Sequence, residues 1–467
     1  MTDAAPSGPR AALTYDRATL VYEGDPAGAD LLTPLGFVPD ARIAGRLRGV
    51  ARHYRMALAT LTKAGFAVED RARGYAELAL TPRRVRAAHP HQEEALAAWV
   101  ANGRRGVVVL PTGAGKSYVA ELAIAKVQRS TLVVAPTIDL MNQWVGLLQT
   151  AFGSEHVGSL GGGTYDLKPL TATTYDSAHL HVETLGNRFG LVVFDECHHL
   201  PSAAYATAAE GLVAPFRLGL TATPERGDGS ESRLGELIGK IVYRRDIQEL
   251  TGEYLAAYET ARIRVELTED ERKAHDAARA TYRAFVERHR IMMGGPEGWG
   301  RFLQTVARTG SEGRAAFSAW REQRRIALRS QEKLAVLESL FAQHAGDPTI
   351  IFCADNDTVH LVSRRWLVPA LTHETPGPER KSVLEDFNAG RIRAVVTARV
   401  LNEGVDLPAA RVGIVLAGTA TVREHVQRLG RLLRKQGDKE AILYEIVTAG
   451  TSEEAVSDRR RDHGAYR

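Results

Sequence analysis

Seven residues, Pro111-Thr-Gly-Ala-Gly-Lys-Ser117, constrain the fold of this chain more than any other stretch. They follow an apolar, strand-like run at 106–110 and precede a helical pattern that starts near Tyr118. Glycines let the backbone fold back tightly, so that its N–H groups and the N-terminus of the next helix converge on phosphate oxygens. A strand, a glycine loop and a helix in that order belong to a parallel sheet with helices on both faces. Thr112, Gly113, Ala114 and Gly115 are then the cradle. Lys116 is placed to reach the β- and γ-phosphates of ATP, and the Ser117 hydroxyl to coordinate Mg²⁺. The common form of this loop has Gly where this chain has Leu110; here the Pro-Thr-Gly form stands instead.

A second motif supplies the other half of such a site. Leu191-Val-Val-Phe-Asp195-Glu196-Cys197-His198-His199 is an apolar strand ending in two carboxylates, which sets Asp195 at the sheet edge where ligands bind in open α/β folds. Asp195 is expected to join the Mg²⁺ shell, directly or through water, and Glu196 to orient and deprotonate the attacking water. Cys197, His198 and His199 do not read as zinc ligands. Neighbouring side chains alternate in direction at a strand end, and no further ligands stand at zinc-finger spacing. Thr221-Ala-Thr-Pro224 ends a further strand at 217–220, and its hydroxyls are suited to bond the carboxylate loop. Upstream, Gln92 begins a helix before the phosphate loop, and its amide is able to pair with both N6 and N7 of adenine.

Near the C-terminus, Gln427, Arg431 and Arg434 fall at i, i+4 and i+7 of a helical pattern, while Val426, Leu429 and Leu433 share another face. A row of guanidiniums of this kind is able to stabilise charge on a γ-phosphate, as arginine fingers do. Before it, Gly404 permits close backbone approach, and Asp406 is a candidate for the ribose or for bracing the fingers.

The texture of the chain divides its 467 residues into four regions. Residues 1–85 hold a strand at 19–22 and a long helical pattern at 45–64. Residues 86–250 alternate strands (106–110, 131–135, 191–194, 217–220) with helices. Residues 251–335, rich in Arg, Ala and Glu, have helical patterns at 269–288 and 313–329 around a Gly/Pro break at 294–298. Residues 336–467 return to strands between helices (349–352, 394–397, 412–416, 441–446). The fold class is therefore α/β, two parallel-sheet domains with a small N-terminal α+β domain and a helical insertion between them.

Composition narrows the classes that remain. No run reaches the roughly 18 apolar residues of a membrane span, and the first ten residues read as a loose tail rather than a signal peptide. The two cysteines, Cys197 and Cys353, are too few for a disulfide framework or an iron–sulfur site, which suits a reducing cytoplasm. A net charge of +4 is compatible with polyanion binding without requiring it.

Taken in order, the motifs from 89 to 434 resemble the second superfamily of helicases. Asp195-Glu-Cys-His-His-Leu-Pro201, Thr221-Ala-Thr-Pro224 and the Arg-rich Arg321-Glu-Gln-Arg-Arg-Ile-Ala-Leu328 before Lys333 resemble the XPB-type DNA helicases in particular. Ala51-Arg-His-Tyr-Arg55, followed by 61–66, is similar to that family's N-terminal damage-recognition domain. The resemblance implies two RecA-like motor domains closing on ATP, a thumb-like insertion, 3′-to-5′ movement on DNA and a role in repair, with a nuclease as a partner in compact homologues. The family's Arg-Glu-Asp element reads Arg226-Gly227-Asp228 here, which bears on strand separation. DNA contacts, mostly to phosphates and independent of sequence, are expected from Pro136-Thr137, Thr173-Thr174-Tyr175, Asp355-Asn356 and Thr397-Ala-Arg399. An RNA helicase, a restriction-system translocase and an ATP-gated DNA clamp that recruits a nuclease are the other readings of the same motifs.

Overall fold

The computed structural model describes residues 9–83, 86–225, 229, 232–295, 297–398, 409–416 and 440–461. The chain packs as two compact units that divide near residue 245.

The first unit begins with a small mixed sheet of β1 (Arg10–Asp16), β2 (Thr19–Gly24), β3 (Val38–Pro39), β4 (Arg46–Val50) and β5 (Ala67–Arg71), in the order β3-β4-β2-β1-β5. Between β1 and β2 the chain turns through Arg17 and Ala18, both at positive φ (46° and 66°), the turn geometry whose twist matches paired antiparallel strands. Leu13, Leu20 and Tyr22 point into a core completed by the helix Tyr54–Lys63. The helical pattern expected at 45–64 is helix only in its second half. Arg46–Val50 is a strand antiparallel to β2, because its apolar and charged residues satisfy a period of two as well. Arg48 is fixed there by ion pairs to Asp40 (2.7 Å) and Asp16 (2.9 Å).

This domain is seated on the α/β domain of the same unit. Tyr15 Oη donates to the Val182 carbonyl at 2.6 Å and to that of Gly211 at 3.2 Å, Gly74 N–H donates to Asn187 O at 3.1 Å, and Val213 is buried in the small domain's own core.

The larger sheet consists of β6 (Arg105–Val109), β7 (Thr131–Ala135), β8 (Val157–Gly161), β9 (Thr164–Asp166), β10 (Leu170–Thr174), β11 (Leu191–Phe194), β12 (Phe216–Thr221) and β13 (Ile241–Arg244). Its order is β13-β6-β12-β11-β7-β10-β8-β9, parallel throughout except for the outermost strand β9. The central strands β7, β10 and β11 are buried along their whole length, which explains their continuous apolar or β-branched sequences.

The second unit has a six-stranded parallel sheet of β14 (Ala257–Val265), β15 (Thr349–Phe352), β16 (Ala370–Leu371), β17 (Ala394–Thr397), β18 (Val412–Val415) and β19 (Glu440–Thr448), ordered β14-β19-β18-β15-β17-β16. The segment 251–335, expected to be helical, thus begins with a nine-residue edge strand paired with β19 along its full length. The helices Glu269–Arg288, Gly298–Arg308 and Gly310–Leu328 follow, around a separate core of Phe285, Ile291, Phe302 and Ala316. The middle helix was not expected, because it follows directly on the Gly/Pro break.

Candidate nucleotide-binding site

Strands β6, β12 and β11 are neighbours, so the phosphate loop, the Thr221-Ala-Thr segment and the Asp195-Glu196 pair emerge at one edge of one sheet. The Leu110 N–H donates to Thr221 O (3.1 Å), stitching the start of the loop to the end of β12. Gly113 (φ +92°) and Gly115 (φ +82°) occupy left-handed backbone that side chains rarely adopt. Gly115 caps the helix Lys116–Val127, and a Cβ there would collide with the Gln92 amide nitrogen. Lys116 Nζ donates to the Leu110 carbonyl at 3.2 Å, folded back over its own loop. Gln92 is buried in the helix Pro90–Ala101, and its Oε1 accepts from the His89 N–H at 3.0 Å as part of the helix cap. The residue therefore packs against the phosphate loop, with one end of its amide engaged by the backbone.

Asp195 is buried. Its Oδ2 accepts from Trp144 Nε1 at 2.8 Å and its Oδ1 from the Glu196 N–H at 3.0 Å, while its own carbonyl accepts from Tyr175 Oη at 3.0 Å. Burial first, and then the neighbouring Glu196 charge, push the Asp195 carboxyl up to about 6, against the opposing pull of Trp144 and Lys116. Glu196 stands at φ +44°, a strained conformation for a residue with a side chain and one that collects at functional sites.

His198 is fully buried, with Nδ1 3.0 Å from Thr221 Oγ1 and 3.4 Å from Glu196 Oε2, so it ties the carboxylate loop to the end of β12. Thr221 Oγ1 in turn accepts from the Thr223 N–H. Burial pushes the Cys197 thiol well up, so it remains a protonated core residue. Among the described residues, no three His, Cys, Asp or Glu side chains are grouped to hold a metal ion.

The expected nucleic-acid segments divide into two kinds. Thr137, Thr174 and Asp355 each cap a helix, accepting from the N–H groups of Leu140, Ser177 and Thr358. Those helix N-termini keep partial positive charge at the strand ends. Thr173, Tyr175 and Thr397 are buried, as is the capping Thr174, and the hydroxyls of the first three donate to the carbonyls of Leu160, Asp195 and Leu371. The side chains of Thr173, Tyr175 and Thr397 are internal struts rather than surface contacts, because central strands of a parallel sheet are covered on both faces and their ends are buried with them. Arg399, Asp406, Gln427, Arg431, Arg434 and the Arg226-Gly227-Asp228 element lie outside the described residues.

Comparison with known proteins agrees with this layout. Residues 13–72 match the family described as the Xeroderma pigmentosum group B helicase damage recognition domain, residues 87–226 the Type III restriction enzyme res subunit, and residues 332–436 the helicase conserved C-terminal domain. Over 80% of its length the chain is 41% identical to the DNA 3′-5′ translocase XPB2 of Sulfurisphaera tokodaii, covering 84% of that protein. The chain belongs to the XPB family.

A second XPB relative, the DNA 3′-5′ helicase XPB of Kineococcus radiotolerans, is 31% identical over 80% of the chain, which spans 62% of that longer protein. The helicase domain of Pyrococcus furiosus Hef superposes with a TM-score of 0.54 at 17% identity, covering 80% of this chain and 98% of that one. S. cerevisiae Dbp5 gives the same score at 13% identity, covering 81% and 88%. Both likenesses establish the RecA-like helicase fold. In this XPB-family chain the sequence motifs named the loop and the carboxylates but missed Trp144 and read Tyr175 as a nucleic-acid contact, whereas both are buried side chains that hold Asp195. The available signal was an aromatic residue in each helix that follows a strand of the same sheet, at Gln143-Trp144 and Thr174-Tyr175.

Proposed function

We propose that this XPB-family chain is an ATP-dependent DNA translocase or helicase that moves 3′-to-5′ in DNA repair. The observation that carries the reading is the convergence of Lys116, Asp195 and Glu196 at one sheet edge, in a chain 41% identical to a protein named for 3′-5′ translocation on DNA.

The residues present fit a magnesium nucleotide. Gly113 and Gly115 hold left-handed backbone that side chains rarely adopt, a helix N-terminus follows the loop, and a buried carboxylate stands at the same sheet edge as the lysine. Lys116 would hold the β- and γ-phosphates, with Thr112, Gly113, Ala114 and Gly115 offering backbone N–H groups. Ser117 and Asp195 would hold Mg²⁺, whose charge offsets that developing on the transferred phosphoryl group. Glu196, fixed by its strained backbone, orients the attacking water and accepts its proton. Trp144 keeps the Asp195 carboxylate aimed at the site. Gln92 is the candidate for adenine, while Asp406, Gln427, Arg431 and Arg434 enter by sequence alone, as the ribose contact and the arginine fingers. DNA would be held mainly through phosphates, by helix N-termini such as those capped by Thr137 and Thr174. A nuclease partner and a cytoplasmic location belong to the same proposal.

The test is displacement of a third strand from a DNA triplex, which reads movement along a duplex without requiring it to be opened. ATP-dependent release that is lost with Glu196→Gln is the expected result. DNA binding that responds to ATP without release would favour the clamp, and release from RNA substrates alone would favour an RNA helicase.

A further inference from the structure

The N-terminal ends of β6 and β12 lie opposite the phosphate loop, one strand length away, roughly 17 Å for five residues at about 3.3 Å each. There the small N-terminal domain and the motor domain of the first unit bring their arginines together. Arg55 and Arg104 both lie on the Phe216 ring, 5.9 and 5.1 Å from its centroid, and Arg55 also donates to the Gly103 carbonyl. Arg52 donates to Glu236 O at 2.9 Å and Arg105 to Ile238 O at 3.2 Å. Beneath them Arg217 is completely buried.

Elsewhere in this unit arginines such as Arg46, Arg48, Arg86 and Arg129 are paired with carboxylates. Among the described residues no carboxylate forms an ion pair with Arg52, Arg55, Arg104, Arg105 or Arg217. Glu236 enters the cluster only through its backbone carbonyl. The Nε groups of Arg52 and Arg104 and the Nδ1 of His53 are buried without a hydrogen-bond partner. Arg105 is pushed down to about 10, chiefly by burial and then by Arg55 and Arg52, and His53 is lowered by burial and by the charges of Arg52, Arg105 and Arg217.

The carbonyls at the end of the helix Ser232–Leu237 answer part of this charge. A helix C-terminus carries only about half a negative charge, however, against four full positive charges at the surface of the cluster. Arg104 also stands at φ +63°, where glycine would be at ease, so the backbone gives no reason for an arginine there.

We propose that Arg52, Arg55, Arg104 and Arg105 form a phosphate-binding site for the nucleic-acid backbone, a second DNA contact on the edge of the motor sheet remote from ATP. The proposal rests on the DNA-motor reading above. Guanidinium forks suit phosphate oxygens, and the contact is independent of base sequence. It joins the small domain and the motor domain on one ligand, so bound DNA would bridge the two.

The test is equilibrium binding of the full chain to a fluorescent DNA duplex without nucleotide, across about 50 to about 300 mM KCl, for wild type, Arg104→Gly and the double variant Arg52→Gln/Arg104→Gly. Each lost phosphate contact makes the slope of log K against log [salt] shallower by ~0.9. The expected changes are therefore about one for the single variant and about two for the double, with affinity several-fold weaker near ~100 mM. Arg104→Gly suits its backbone, so its melting temperature should not fall, which separates lost binding from lost fold. Wild-type slopes in both variants, or weaker binding with an unchanged slope, would overturn the proposal. ATP turnover by the wild type that ignores DNA would instead sink the motor reading, because the slopes are read without nucleotide.

Discussion

The indole Nε1 of Trp144 donates to Oδ2 of Asp195 at 2.8 Å, across 51 residues of sequence and wholly within the protein interior. Trp144 lies in the helix Ile138–Phe152, which begins at Thr137, one of the strand-end positions proposed to face DNA. One rigid helix therefore spans from a proposed DNA contact to the carboxylate proposed to hold magnesium.

Replacing Trp144 by Phe keeps most of the buried ring and removes the donor. A hydrogen bond to a charged group contributes about 1.5–3 kcal/mol, which corresponds to roughly 10- to 100-fold in rate if it acts on the transition state. Steady-state turnover at saturating ATP and DNA should fall within that range, with a higher magnesium requirement, and the melting temperature should drop by no more than the loss of one buried hydrogen bond allows. Wild-type turnover and magnesium dependence in Trp144→Phe would show that the bond only packs the core.

Gly115→Ala tests the cradle. At φ +82° a methyl group strains the backbone, and in this position it also meets the Gln92 amide. A left-handed residue with a side chain costs about 1–2 kcal/mol before any clash is counted. Binding of a fluorescent ATP analogue should weaken at least about tenfold, measured at a temperature where the variant is still fully folded, because the same strain lowers its unfolding midpoint. Unaltered binding would mean that phosphates are held elsewhere.

Asp195 gives the site a pH dependence. Its pKa, raised to about 6, lies above the roughly 3.9 of a free aspartate, so the folded protein retains this proton at pH values where the unfolded chain has lost it. In the nucleotide-free protein its contribution to stability therefore falls as pH rises from about 4 to about 6. Magnesium has to displace the same proton, so its half-saturating concentration for turnover should climb as pH drops through about 6. Magnesium titrations at about pH 5.5, 6.5 and 7.5 read this directly, and equal midpoints at all three would contradict it.

Much of this site was legible because its chemistry is sequential. The phosphate loop and the Asp195-Glu196 pair are contiguous words, each following a short apolar strand, and their strand boundaries fell within a residue or two of those observed. Contacts made across the sheet leave no such trace. Trp144, Tyr175 and the His198–Thr221 link depend on which strands become neighbours, and β11 sits between β7 and β12 by topology alone. β14 was absorbed into a helical segment because its charged residues, Arg262 and Arg264, resemble the helices after it. The alternation through Tyr258-Glu-Thr-Ala-Arg-Ile-Arg-Val265 was the available signal. Thr173 and Thr397 were placed at the surface because strand-end threonines suit loops, yet the sheet turns both inward.

Arg217 tests what lies beneath the arginine cluster. Its guanidinium donates to the carbonyls of Ala209 (2.9 Å), Leu212 (2.6 Å), Ala214 (3.3 Å) and Leu237 (2.6 Å), a cage without a carboxylate. Arg217→Met fills similar space and leaves four buried acceptors unpaired, each costing about 1–3 kcal/mol where water does not replace the donor. Urea unfolding should show a loss of at least about 3 kcal/mol. A loss below about 1 kcal/mol would mean that the carbonyls find other donors.

The central claim is that Lys116, Asp195 and Glu196 form a hydrolytic site driven by DNA. The direct measurement is ATP turnover of the wild type, Lys116→Ala and Glu196→Gln with single-stranded DNA, duplex DNA, forked DNA or RNA. The account predicts strong stimulation of the wild type by DNA, with turnover reduced at least about a hundredfold in both variants while their melting temperatures hold. Wild-type rates in either variant, or turnover that no DNA raises, would contradict it.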